Sequence, residues 1–253
     1  MITIISSTKS LDLGREFHVS ESTKPEFLKE VSHLVDILKE YTEEELAKVM
    51  KVSDKLAKVN YDRYKDFHNE ETIRNQAIFS FSGDVYKSMN PFDYSREQVE
   101  FAQEHLRIMS GLYGVLRPLD LINEYRLEMA TKLEGFEVKD LYGYWTEKIT
   151  DNLLKEVNIH NEKVILNLAS LEYSKAIDRN KLNDIIIYDV EFKENRQGKY
   201  KIVGTYAKKA RGTMVSYIIK NRIDSIVGIK SFNEDGYSFN EDLSSETNFV
   251  FTR

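Results

Sequence analysis

The stretch His105–Ala130, HLRIMSGLYGVLRPLDLINEYRLEMA, decides how the rest of the chain is read. A helical pattern, SREQVEFAQEHLRIM, runs into it from Ser95 and breaks at Ser110-Gly111. A second segment restarts after Pro118-Leu119-Asp120. The stretch holds two of the eleven glycines (Gly111, Gly114), one of the three prolines (Pro118) and three arginines (Arg107, Arg117, Arg126). Glycine and proline punctuate local structure, so the spacing predicts a tight turn between two elements. Arginine beside such a turn sets positive charge near free backbone N–H groups, which suits an anion. The competing reading is a helix–turn–helix connection with solvated arginines.

Outward from this turn the pattern alternates between strands and helices. Ile2–Ser6 is a β-branched run that reads as a central strand. Pro25–Tyr41 places Phe27, Val31, Leu34, Val35 and Leu38 at helical spacing. Thr42 with Glu45 and Ser95 with Gln98 are capping boxes, and Ser53 begins a further helix. Ala77–Ser82 alternates and reads as a strand, with Gly83-Asp84 as its turn. Lys139–Val157 is an amphipathic helix carrying the sole tryptophan, Trp145, as a core residue. Val164–Leu168 suits a strand buried on both faces. Asp184–Phe192 and Lys199–Tyr206 read as a β-hairpin, Ala207–Ile223 as a helix and Thr247–Thr252 as an edge strand. No linker or repeat interrupts the chain. The expected fold is therefore a single α/β (mixed α+β) domain over residues 1–253, a central mixed sheet surrounded by helices.

Composition narrows the function classes. With 41% hydrophobic and 31% charged residues over 253 positions the chain is globular. No apolar run approaches a bilayer span, and MITIISSTK lacks the layout of a signal peptide. The expectation is a cytoplasmic protein with no membrane partner. The absence of cysteine excludes disulfides, zinc–thiolate sites, iron–sulfur clusters and thiol redox chemistry. Five scattered histidines offer no preformed soft or mixed metal site, so no cofactor and no resident metal is expected; an all-carboxylate iron site in the acidic tail stays open beside the reading of that tail as a solvated loop.

The net charge of −6 has the wrong global sign for a nucleic-acid partner, but it hides an asymmetry. From Asn195 to Arg222 there are eight basic residues and no acidic one; from Ser231 to Thr252 there are five acidic residues and no basic one. The helix start Ala207–Gly212, with Lys208, Lys209 and Arg211, is a candidate phosphate contact, because positive charge at the positive end of a helix dipole is eased by an anion. Lys9 follows the first strand, where α/β proteins place ligand contacts. Asp84 follows a strand pattern and Glu172 follows Val164–Leu168. Solvated loops and faces are the competing readings.

The segment FAQEHLRIMSGLYGVLRPLDLINEYRLEMA resembles the central signature of the YaaA family of peroxide-stress proteins. IISSTKSLD, VSDKLAKVN, FSGDVY, NLASLEY, YAKKARGTM and FNEDGYSFNED support it in the family's order. Ser7 and Thr8 stand where the resemblance leads one to expect proline and alanine. The resemblance implies a cytoplasmic protein that protects against hydrogen peroxide by limiting free ferrous iron and the damage it drives. It also implies a helix-hairpin-helix element, here at Gly111–Gly114, and non-specific double-stranded DNA binding along a basic cleft.

Two functions stay open. In the first, Gly111 and Gly114 let backbone amides approach DNA phosphates while Arg107, Arg117, Lys208, Lys209 and Arg211 supply charge. In the second, Lys9, Asp84, Arg126, Glu128 and Glu172 belong to an enzyme site for a small anionic or nucleotide-like substrate. Geometry separates them. Convergence of Lys9, Asp84, Arg126 and Lys208 on one pocket favours the small molecule; dispersal along a shallow groove favours DNA.

Overall fold

The computed structural model describes residues 1–15, 17–133, 137–182 and 184–253. Strand β1 (Ile2–Ser6) is buried at its first four positions and lies in the middle of the main sheet. Helices α1 (Leu28–Glu40), α2 (Glu43–Met50) and α3 (Asp54–Lys65) follow it. The apolar stripe of α1 goes inward through Val31, Leu34, Val35 and Leu38. The Thr42 capping box closes as the sequence predicts, with Glu45 N donating to Thr42 Oγ1 at 3.3 Å and Thr42 N donating to Glu45 Oε2 at 2.8 Å.

Ala77–Ser82 is not the expected strand. A two-residue strand, β2 (Asn75–Gln76), gives way to a helical turn, α4 (Ala77–Ser80). Ser80 Oγ donates to the Gln76 carbonyl four residues back at 2.8 Å, a bond made in a helix. Six alternating residues fit either period when every position of the turn is buried. Helix α5 (Asp84–Met89) comes next, and the Ser95–Gln98 capping box opens α6 (Arg96–His105).

The largest correction falls on the stretch that organises the sequence. Helix α6 does not run on to Met109. It ends at His105, and β3 (Leu106–Ser110) continues directly as a buried strand parallel to β1, with Leu106 opposite Thr3 and Met109 opposite Ser6. The chain then returns antiparallel as β4 (Gly114–Leu116), Ser110 opposite Gly114. The Gly111–Gly114 turn is thus a buried β-hairpin and not a helical hairpin. Gly114 is required there: its φ is +69°, and a Cβ would lie 2.7 Å from the Trp145 ring. Strand β5 (Leu121–Ile122) pairs with β2, and irregular chain leads on to Ala130.

Helix α7 (Leu141–Val157) buries Trp145 completely, and the indole N–H donates to the Gly111 carbonyl at 2.9 Å. Strand β6 (Val164–Asn167) is buried at all four positions and is followed by the short turn α8 (Leu171–Ser174). Strands β7 (Ile186–Arg196) and β8 (Lys199–Lys201) form the expected hairpin, although Gly204–Tyr206 already belong to α9 (Gly204–Lys220). A short turn, α10 (Ile226–Ile229), leads to β9 (Ser238–Phe239) and β10 (Asn248–Thr252). β10 is not the edge strand expected: it pairs in parallel with β7 and antiparallel with β9.

The main sheet runs β4-β3-β1-β6-β7-β10-β9, with β8 attached to β7. It mixes parallel and antiparallel pairs and is surrounded by helices, as the sequence predicts. From β1 the chain places β3 on one side and β6 on the other, so the strand order reverses between β1 and β6. No helix among the described residues is long and apolar enough to cross a membrane.

Gly114→Ala should destabilise the fold by about 2–4 kcal/mol, from left-handed strain plus overpacking against Trp145. Urea unfolding followed by tryptophan fluorescence measures this; a loss below about 0.5 kcal/mol would contradict the packing described.

Candidate functional site

In open α/β sheets a crevice forms outside the carboxyl ends of the strands where their order reverses. A cavity of about 410 Å³ lies at that place. The loop leaving β1 contributes Ser6 to Ser10, and the loop leaving β6 contributes Leu168, Ser170, Glu172 and Tyr173. Asp84 and Lys87 enter from α5, Lys208 and Arg211 from α9, and Glu128 from the irregular chain before Ala130. Hydroxyls tie the two loops together. Ser170 N donates to Ser6 Oγ at 2.9 Å, and Ser7 Oγ donates to Tyr173 Oη at 3.3 Å. Burial raises the Tyr173 hydroxyl above the ordinary tyrosine range, so it stays protonated at neutral pH.

Helix α9 is seated on α5 with almost no space between them. A Cβ on Gly212 would lie 2.1 Å from the Val85 carbonyl oxygen. This contact fixes Arg211 and Lys208 at the cavity wall. The Nε of Arg211 is buried without a hydrogen-bond partner among the described residues. Burial lowers the pKa of the guanidinium from its ordinary value, and the more distant Glu191 opposes that. Lys9 Nζ lies 2.8 Å from Glu128 Oε2, and Arg126 reaches the other oxygen of Glu128 at 3.3 Å. Arg126 lines a smaller adjoining cavity with Lys9 and Glu128, and its Nε is also buried and unpartnered among the described residues. Glu172 Oε1 accepts from Ala130 N at 3.1 Å.

The residues expected at a small-molecule site are therefore brought together: Lys9, Asp84, Glu128 and Glu172 line one cavity, with Arg126 directly behind Glu128. The expected DNA contacts divide. Lys208 and Arg211 line the same cavity, and Lys209 is exposed beside them. Gly111 and Gly114 are buried in the interior. Arg107 is 5% exposed, lies 2.5 Å from Glu156 and donates to the carbonyls of Gln103 and Leu106. Arg117 donates to Asp120 at 3.2 Å and to the Lys24 carbonyl at 2.9 Å. Both arginines line a second cavity with Met1, His105 and His160, at the opposite end of β1. Sequence reasoning missed Ser6, Ser170, Tyr173 and Lys87. The available signal was positional: Ser6 and Ser170 sit at or just past the ends of two buried apolar runs. Among the described residues no group of three or more His, Asp or Glu is placed to hold a metal ion.

The family model described as "Peroxide stress protein YaaA" matches residues 1–243. The chain belongs to the YaaA family of peroxide stress proteins. It is 46% identical over 254 residues to a UPF0246 protein of Clostridium beijerinckii, covering 100% of this chain and 98% of the relative. It is 44% identical to a UPF0246 protein of Crocosphaera subtropica, covering 100% of each. A third UPF0246 protein, from Alteromonas mediterranea, is 42% identical, with 100% and 98% covered. Family membership supports a role in peroxide stress. The segments that carry the resemblance supply nearly the whole cavity: IISSTKSLD, FSGDVY, NLASLEY and YAKKARGTM line it, and the central segment contributes Glu128.

Two outcomes follow from the charges described. A half-buried guanidinium without a carboxylate is unfavourable, so Arg211→Met should leave the unfolding free energy unchanged or raise it by about 1–2 kcal/mol in urea titrations. A clear loss of stability would mean that Arg211 is paired. In the second cavity His160 is pulled down to about 4, first by burial and then by the N-terminal amine, His105 and Arg107. Its folded pKa lies below its unfolded value, so the unfolded state binds the proton more readily. Stability should be full above about pH 6.5 and fall as the pH drops towards 4. His160→Asn should flatten that part of the profile; an unchanged slope would remove His160 from the account.

Proposed function

We propose that the protein serves in peroxide stress by binding and acting on a small anionic, nucleotide-like ligand in the cavity between the ends of β1 and β6. The observation that carries this reading is Arg211, which lines the cavity with Lys208, has no ion-pair partner among the described residues and has its Nε buried without a hydrogen-bond acceptor. A phosphate or carboxylate there would supply the missing acceptor, with a strong charge-assisted hydrogen bond. The cavity holds four cations (Lys9, Lys87, Lys208, Arg211) against three carboxylates (Asp84, Glu128, Glu172). Glu172 and Asp84 are free of ion pairs among the described residues and suit proton transfer to or from the bound ligand. Any limitation of iron-driven damage would then run through the chemistry of this ligand.

Non-specific DNA binding has separate support. Arg196, Lys199, Lys201, Lys208 and Lys209 are all exposed along the β7–β8 hairpin and the start of α9. Such a surface would give weak binding that declines steeply with salt.

Calorimetric titration with inorganic phosphate and AMP separates the readings from duplex binding measured by anisotropy over a salt series. The expected result is phosphate and AMP binding that weakens about tenfold or more in Arg211→Gln and is unchanged in the Lys199→Glu/Lys201→Glu pair. The pocket reading fails if neither ligand binds or if Arg211→Gln has no effect. Duplex binding lost only in the Lys199→Glu/Lys201→Glu pair would favour the DNA reading.

A further inference from the structure

The cavity carries uncompensated charge of both signs. Lys9 and Glu128 have closed into an ion pair. The remaining groups have not. Among the described residues Lys208 and Arg211 reach no carboxylate at ion-pairing distance, and Glu172 reaches no cation, although all line the same 410 Å³ space. Opposite charges facing one cavity normally close on each other, so something holds these apart. On one side it is helix α9, fixed on α5 by the contact at Gly212. On the other it is the α8 turn. Glu172 Oε1 accepts from Ala130 N at 3.1 Å, and the Glu172 carbonyl accepts from Tyr142 Oη at 2.9 Å. Asp84 is exposed at the mouth, whereas Glu172 is half-buried and oriented.

Two fixed walls of opposite sign set a field across the space between them. A ligand that is only anionic gains at Arg211 and is repelled at Glu172. A ligand with a positive end gains at both. We propose that the ligand is bipolar: a small molecule whose carboxylate or phosphate lies on Arg211 and Lys208 and whose primary ammonium donates to the Glu172 carboxylate. This inference rests on the anion reading of the same cavity and adds the second recognition element. Ser6, Ser7 and Ser170 also line the cavity, and their hydroxyls suit the polar middle of such a molecule.

The test compares isosteric pairs by calorimetric titration of the full chain: phosphoethanolamine against ethyl phosphate, and β-alanine against propionate. In at least one pair the amine-bearing member should bind about tenfold more tightly. The pair that shows it identifies the anion as phosphate or carboxylate. Glu172→Gln should erase the preference and leave the amine-free member within about twofold of its original affinity. Arg211→Gln should weaken both members. If ethyl phosphate and propionate bind through Arg211 as tightly as their amine partners, the bipolar inference is overturned and the anion reading stands. The same holds if the amine preference survives Glu172→Gln. If no probe binds in an Arg211-dependent way, both fall. Circular-dichroism melting of each variant separates lost recognition from lost folding.

Discussion

The structure depends on one topological constraint. Strand β1 is hydrogen-bonded on both sides, to β3 and to β6, so the chain must build outward from it in two directions. The connections that follow β1 and β6 lead to strands on opposite sides of β1, and the cavity lies at the ends of these two strands. Both strands are buried apolar runs, which makes the position rigid. Helix α9 then docks on α5 beside the opening and brings Arg211 into a place where burial is unfavourable for an unpaired cation. A fold that keeps such a group gives up stability locally, and sites of that kind are where function is expected.

Much of this was legible in the sequence wherever the determining interaction is local. Capping boxes at Thr42 and Ser95 close within three residues, so they can be read directly. Ile2–Ser6 and Val164–Asn167 announce buried strands by composition alone. The failures have the opposite cause. The run from Val99 to Met109 satisfies helical spacing throughout, yet the chain changes to a strand at Leu106. What decides the change is the free edge of β1, about a hundred residues away in sequence. No local period carries that information. Ala77–Ser80 fails for the same reason: its short alternation is overruled by complete burial in a helical turn.

The site was legible residue by residue but not as a site. Lys9, Asp84, Glu128, Glu172, Lys208 and Arg211 stand out separately, each beside a turn or at an element's end. Their meeting is set by the strand order, which the spacing does not encode. Arg107 and Arg117 show the converse. They lie in the most recognisable stretch of the chain, but Glu156, Asp120 and main-chain carbonyls use their donors to hold the fold. A motif arginine can meet a ligand only through those of its five donors that contacts within the fold leave free. The free donors here belong to Arg211 and Arg126, one of them outside that stretch.

The basic block from Asn195 to Arg222 also divides by environment rather than by count. Lys199, Lys201 and Lys209 are exposed, where water and salt screen each charge within about 8–10 Å. Arg211 is largely withdrawn from solvent, where the same charge acts through a lower effective dielectric and keeps most of its attraction for an anion at contact. A duplex is too wide to enter a cavity of about 410 Å³ and meets mainly the screened lysines. A ligand small enough to enter meets the guanidinium. On this argument one half-buried, unpaired cation would outweigh several solvated ones for a small ligand. On the proposed reading, a chain of net charge −6 would offer a small anion its best contact at this cavity and not on its most basic surface.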